Sequence, residues 1–425
     1  MVRSRTWIIG CALAALASPA LAAEPFEVSV AGGPTAGSDS ISALLSDLLE
    51  GGGDFAQTGA RSAYTASLSY LGVEDAIVVA SANSGRSVTV TIPSTGYSKT
   101  FTGTDSADVA AKVQAWLQES GDTELSRFQT AVNGKSRLAL LDGNPRATTG
   151  LLARGAMQRF GTDPSLGGTG FTPPTVTAPG SAPNVAGTSP WRAFELRMDA
   201  WDQYLQTEQL DGLRASGGTL TLGGYFSERV GLSLAVTGQV RRIGGARLYD
   251  LGGELAVPVA LIPSRTGSPW RWTLTPFFQA GFGVSVDAAA GGLLLGGGLV
   301  QRVSVRVKAV ELFYATELAF YGGVPLANVR GYDFASRIRR LVVSHGIGAV
   351  YNAHPAVVLD VGLTTTRLDV DDAAVPRWFT PTVGLAFRAG DHVRARIAWE
   401  SDLAPKYASH GVALKLDFLS RDGDD

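Results

Sequence analysis

The sequence predicts an antiparallel membrane β-barrel of about twelve strands, with ten as the alternative count, preceded by a small α+β soluble domain. Three observations predict it. From Trp191 onward the hydrophobic pattern changes to a period of two and keeps it almost to the end. The polar face of that pattern carries Arg and Glu at mid-strand positions. The residues before Phe160 mix helical and strand periods instead. The composition suits ordered structure: 425 residues, 45% hydrophobic and 17% charged, with 52 Gly and 20 Pro. With 36 basic against 38 acidic residues there is no basic field to hold nucleic acid, so no nucleic-acid partner is expected.

Residues 1–22 read as a signal peptide. Arg3 and Arg5 precede an apolar run from Trp7 to Leu16, and Ala20-Leu21-Ala22 supplies the small-x-small pattern for cleavage before Ala23. Cys11, the only cysteine, lies inside this segment, and too few apolar residues precede it for a lipoprotein leader. The mature chain then has no thiol for disulfides, metal sites or nucleophilic chemistry.

Residues 23–160 read as the α+β domain. Ser38 or Asp39 can cap a helix in which Ile41, Leu44, Leu45, Leu48 and Leu49 share one face, stopped by Gly51-Gly52-Gly53. Four extended segments follow, Ser62 to Leu71, Ala76 to Ala82, Arg86 to Ile92 and Tyr97 to Phe101, and their turn-rich connections predict an antiparallel meander. Thr104 or Asp105 opens a second helix carrying Val109, Val113, Trp116 and Leu117. Further helix is expected at Thr123 to Val132 and Ala147 to Phe160, split by Asp142-Gly143-Asn144-Pro145. Trp116 and Tyr97 read as core residues. Residues 161–190 are rich in Pro, Gly, Thr and Ser and read as a linker between two independent units.

Residues 191–419 carry the alternation, with 420–425 as a tail. In Trp270 to Val286 the apolar set includes Trp270, Trp272, Leu274, Phe278 and Phe282, and the intervening residues are mostly small or polar. The same rhythm recurs around Val230–Thr237, Val393–Glu400 and Val412–Phe418. A soluble sandwich also alternates. The charges tilt the reading: Arg302, Arg306, Glu311, Glu317, Asp360, Arg394, Arg396 and Glu400 fall on the polar face, where a sealed core would rarely hold them and a barrel lumen can. Six of the eight Trp fall in this region, consistent with aromatic girdles. Short turns near 227–229, 352–355 and 389–391 alternate with longer connections at 207–217, 322–335, 370–377 and 401–408.

Counting segments gives 192–206, 215–227, 229–241, 246–261, 269–286, 292–303, 306–321, 336–351, 355–369, 377–388, 391–401 and 408–419, each near the roughly 9–11 residues that cross a bilayer. The joint at 303–306 lacks a turn signal, and 192–206 could be helical. The Gly-rich window Ala280 to Val300 reads as two strand segments meeting at a loop, because a helix there would lose about 1 kcal/mol per Gly. Closure follows from physics: in hydrocarbon an open sheet edge would leave backbone groups unpaired at several kcal/mol each. His345 falls on the apolar face, and a bulge turning it inward is the expected remedy.

The order of signal peptide, small domain, Pro-rich linker and C-terminal barrel resembles Gram-negative outer-membrane proteins and is similar to the autotransporter layout. Ser409-His410-Gly411-Val412-Ala413-Leu414-Lys415-Leu416-Asp417-Phe418 resembles the closing strand of such barrels, which usually ends in an aromatic residue read by the barrel-assembly machinery. Here Phe418 is followed by seven further residues, so that signal is internal. The resemblance implies an outer-membrane location, with outer-membrane lipid and the assembly machinery as partners; a partner of the N-terminal domain is not indicated.

No catalytic, cofactor-binding or metal constellation stands out, and no cofactor is implied. His345, His354, His392 and His410 have no metal-ligand spacing. Ser344-His345 and Ser409-His410 are neighbours whose side chains point to opposite faces, leaving only cross-strand pairing for a Ser–His dyad. The expected function is a non-enzymatic pore, anchor or envelope-interaction protein with a periplasmic N-terminal domain. The alternative is a translocator that exports residues 23–160 to the cell surface. An outer-membrane lipid hydrolase is the remote third reading.

Overall fold

The computed structural model describes residues 24–59, 63–119, 124–162, 193–208, 210, 213–227, 229–262, 268–288, 290–324, 326–329, 332–334, 338–354, 356–369, 373–389 and 393–421. The signal peptide, residues 163–190 of the linker reading and residues 422–425 of the tail reading lie outside them; 161–162 are helical and 420–421 belong to the last strand.

The N-terminal region is a six-stranded antiparallel sheet with helices on one face. The strands are β1 (Phe26–Val30), β2 (Thr35–Ser38), β3 (Tyr64–Tyr70), β4 (Val73–Ala82), β5 (Ser87–Ile92) and β6 (Tyr97–Thr102), in the order β2-β1-β3-β4-β5-β6. The meander β3 to β6 follows the predicted segments. β1 and β2 were not anticipated, because five and four residues give alternation little room to register. Helix α1 (Ile41–Glu50) is capped by Ser40 rather than Ser38 or Asp39: the Ser40 hydroxyl accepts from the Ala43 amide at 3.4 Å, and Ser38 instead accepts from the Ser40 amide. Gly51 ends it in the left-handed region. A short helical segment, α2 (Ala56–Gly59), follows.

Helices α3 (Ser106–Glu119) and α4 (Glu124–Lys135) complete the layer. Phe26, Val28, Leu48, Leu68, Ile77 and Val90 form the core between sheet and helices. Trp116 is buried there and stacks on Tyr97 at 5.6 Å between centroids.

The barrel wall has twelve strands: β7 (Ala193–Thr207), β8 (Leu213–Tyr225), β9 (Gly231–Ile243), β10 (Ala246–Ala256), β12 (Trp270–Ser285), β13 (Ala290–Val307), β14 (Val310–Val324), β17 (Arg339–His354), β18 (Val357–Leu368), β19 (Arg377–Ala389), β20 (Val393–Ala404) and β21 (Tyr407–Arg421). A short strand, β11 (Val259–Ile262), continues β10 beyond Pro258, and β15 (Leu326–Val329) and β16 (Tyr332–Phe334) form a separate hairpin. The sheet closes where β21 pairs with β7, in unbroken register from Tyr407↔Thr207 to Arg421↔Ala193. Closure leaves no edge to meet lipid. Residues 193–206 are thus strand, not helix, and 192 lies outside the described residues.

The alternation resolves the two faces. Leu234, Val236, Leu251, Phe278, Phe320 and Ile397 are each half exposed on the outside, while Ala235, Thr237, Asp250, Gln279, Glu317 and Arg396 are buried inside. Gly296 and Gly298 lie where the wall crowds Tyr321 and Leu318; a Cβ at Gly296 would strike the Tyr321 ring.

We call the end where Ala193 and Arg421 meet the terminus end, and the opposite rim the far end. The predicted short turns all lie at the terminus end and the predicted long connections all at the far end. Two of the latter are shorter than expected. β20 and β21 run on to a tight turn at Pro405-Lys406, with Lys406 at φ 61°, and β7 and β8 extend to Thr207 and Leu213. The joint without a turn signal is a tight turn at Lys308-Ala309, where Lys308 takes φ 55°.

Candidate functional site

Residues 138–162 enter the barrel. They follow α4, and their local geometry is fixed before any wall contact. Gly143 sits at φ 90°, a backbone only Gly adopts readily. The Asn144 side chain accepts from the amides of Arg146 and Ala147 at 2.9 and 2.8 Å, starting helix α5 (Thr148–Ala156). The first two helical N–H groups, those of Thr148 and Thr149, donate to the carbonyls of Leu140 and Leu141, both at 3.0 Å. Met157–Thr162 continue as a π-helical turn. This segment was expected within the N-terminal domain ahead of a linker. It packs inside the barrel instead, because its arginines find carboxylates there that the wall leaves unmatched.

The segment descends into the lumen from the far end. At the far end Asp142 pairs with Arg340, and Arg241 donates to the carbonyls of Ala139 and Leu140 at 3.0 and 2.8 Å. Next, Arg146 donates twice to Asp402, and Thr148 donates to Asp250 at 2.7 Å. Arg154 pairs with both Asp402 and Glu400, and Gln158 donates to Glu400 at 3.0 Å. Deeper still, Arg159 makes a two-point contact with Glu254 at 2.8 and 2.7 Å. Nearest the terminus end, Arg302 donates to the Gly161 carbonyl at 2.5 Å. Gly281 and Gly252 leave room for Leu152.

The N-terminal domain caps the far rim. Tyr70 donates to the Ala288 carbonyl at 2.5 Å, Ile41 N–H donates to the Asp287 carbonyl at 3.1 Å, and Gly245 N–H donates to Asp39 at 2.5 Å. The described chain therefore passes from a cap at the far rim into the pore as far as Thr162.

All eight candidate lumen residues occupy inner-face positions, but their roles differ. Glu400 and Arg302 hold the helix. Asp360 and Arg396 pair across the wall at 2.7 and 3.0 Å, and Arg302 lies over the Phe313 ring at 4.2 Å. Glu311 gathers Arg302 and Arg306 at 3.5 and 3.3 Å, with Arg306 half exposed at the terminus end. Glu317 is fully buried, and Arg394 faces Asp417 in register. Sequence reasoning passed over Asp402, Asp250, Glu254, Arg241 and Arg340, which do as much. It also passed over the one readable signal of the plug: residues 143–162 contain three Arg and no acid.

No known family profile matches the chain, and no curated protein does. Among solved structures, the translocator domain of autotransporter NalP from Neisseria meningitidis matches at 10% identity and a TM-score of 0.36, over 54% of this chain and 89% of that one. The beta domain of the Bordetella autotransporter BrkA matches at 10% identity and 0.39, over 53% and 99%. An outer membrane channel from Pseudomonas putida F1 matches at 13% identity and 0.38, over 56% and 98%. The chain is similar to these barrels.

Beside the helix the lumen keeps a small cavity of about 30 Å³, lined by Arg154, Gln158, Asp199, Trp201, Thr219 and Lys415 among others. On the outer wall, His345 is not turned inward. Its register is regular, and the imidazole hydrogen-bonds Tyr314 at 3.0 Å, which satisfies it on the outer face without a bulge. A cross-strand Ser–His contact does exist: Ser401 Oγ lies 2.7 Å from His410 Nδ1. Ser401 is buried and also donates to the Ser409 carbonyl at 2.7 Å, and no acid or amide among the described residues hydrogen-bonds His410. Among the described residues no group of three potential ligands could hold a metal.

Proposed function

We propose that this chain is an outer-membrane protein of translocator type, whose barrel keeps residues 138–162 in its pore and presents residues 24–135 at the cell surface. The observation that carries the reading is the passage of α5 into the lumen from a domain capping the far rim. In membrane barrels short turns face the periplasm and longer loops face outward. Here the longest connection between wall strands, 325–338, lies at the far end together with 369–376, while two-residue turns at 244–245 and 405–406 also lie there and the 257–269 connection lies at the terminus end. The longest connection supports surface presentation of the N-terminal domain over a periplasmic one. The threaded segment is the helix, whereas the Pro-rich linker lies outside the described residues.

The test is protease treatment of intact cells. Cleavage that removes the N-terminal region while leaving a barrel of residues 193–421 supports the proposal. Protection on intact cells, with cleavage only after the outer membrane is opened, overturns it.

A second reading, a pore for small solutes that α5 plugs, is favoured by the charged lumen that surrounds the helix. It predicts low conductance in planar bilayers that rises when the helix is displaced. Unchanged conductance on displacement would dismiss it.

A further inference from the structure

The outer wall is apolar to the rim at one end only. At the terminus end the outward strand positions are Phe194, Trp270, Leu312, Val357, Phe387 and Phe418, and no outward-facing strand residue described there is charged. At the far end three arginines face outward in one cross-strand row. Arg214 on β8 is the register partner of Arg242 on β9, and Arg242 is the partner of Arg247 on β10. All three are exposed. Neighbours on adjacent strands lie about 5 Å apart, so the row concentrates like charge at the edge of the apolar band.

The nearby acids offset it only in part. Asp202 pairs with Arg214, accepts from Ser216 and lies within coulombic reach of Arg242. Asp39 and Asp287 accept from the backbone amides of Gly245 and Arg247. Neither Arg242 nor Arg247 has an ion pair among the described residues. Towards the membrane, β10 exposes Tyr249 and then Leu251, while β8 and β9 reach exposed Leu220 and Val236 only beyond Ser216 and Gly218 and beyond Val240 and Gly238. Across the barrel a second outward pair repeats the arrangement: Arg367 partners Arg377, with Asp369 beside them.

Cations at one rim, above an apolar strip, match an amphiphile with an anionic head and several acyl tails. We propose that Arg214, Arg242 and Arg247 bind the phosphate groups of a phosphorylated glycolipid in the outer leaflet, with its tails along the strip below. The proposal rests on the reading that the far end faces the outer leaflet. Its test does not depend on orientation, so the two can fail separately.

The full chain, purified in detergent, is titrated by native mass spectrometry with a bis-phosphorylated acyl diglucosamine, with its dephosphorylated counterpart, and with inorganic phosphate as competitor. The wild-type chain is expected to retain the phosphorylated lipid. The Arg242→Ser/Arg247→Ser variant is expected to bind it about thirtyfold more weakly, at roughly 1 kcal/mol per arginine. Folding of the variant is checked by its compact migration on unheated gels. Should it fail to fold, the comparison of the two lipids on the wild-type chain and the single variant Arg247→Gln decide. Equal binding of the two lipids, an unaffected variant, or displacement by micromolar inorganic phosphate would each overturn the proposal.

Discussion

Arg146 and Asp402, 256 residues apart, form a buried ion pair in which the guanidinium donates from Nε and Nη2 to one carboxylate oxygen at 3.1 and 2.8 Å. Their side chains are 2% and 0% exposed. The same carboxylate accepts from Thr380 at 2.8 Å and Ser409 at 2.9 Å, and pairs with Arg154. One wall residue thus holds two arginines of the helix, and removing it would strand both.

Asp402→Ala is therefore expected to loosen the plug, since breaking one side of a buried pair costs about 3–5 kcal/mol. Planar-bilayer recordings should show larger and more frequent openings than in the wild type. The barrel itself should still migrate as a compact species, because its strand ladder is untouched.

Gly281→Leu tests the same contact by shape. A Cβ at Gly281 would come within 2.7 Å of Leu152 Cδ1 and 2.9 Å of Thr148 Cγ2. A full side chain should displace α5 and raise conductance without altering any charge. Unchanged recordings from both variants would argue against the helix as the occluding element.

Val236 is 56% exposed on the outer wall and Thr237 beside it is buried in the lumen. Val236→Arg should cost about 2–4 kcal/mol if it lies near the bilayer midplane, and less towards a rim. The measurement is the denaturant midpoint of the barrel in lipid vesicles. Thr237→Ser, one residue on but facing inward, should shift that midpoint far less.

In the N-terminal region, Asp105 caps α3 by accepting from the Asp108 amide at 2.8 Å, and the Asp108 carboxylate reaches back, accepting from the Thr104 amide at 3.0 Å and from Lys112 at 2.9 Å. The hydrogen bond from Lys112 comes first among the influences that hold the Asp108 carboxyl below the usual range. A carboxyl with the lower pKa when folded stabilises above its unfolded pKa and loses that contribution as pH falls through the folded one. Asp108→Asn should accordingly weaken the domain near neutral pH and lessen its acid sensitivity below about pH 4. Thermal melts across that range would show it.

Much of this architecture was legible because period-two alternation is a local property. Val230 to Thr237 show their two faces without any partner strand, and twelve such stretches imply a closed wall once lipid forbids an edge. Turns were less legible. Lys308 and Lys406 adopt positive φ without glycine, so nothing at 308–309 or 405–406 marked a tight turn. His345 misled for a related reason: its partner Tyr314 stands on another strand, 31 residues away.

The sequence by itself determined which side chains face lipid and which face the lumen, since that needs only the pleat. What the lumen holds was decided by tertiary structure alone. Arg146, Arg154 and Arg159 read as ordinary helix cations until closure brings Asp402, Glu400 and Glu254 around them. A buried charge is tolerable only where another chain segment neutralises it, and no local pattern names that segment.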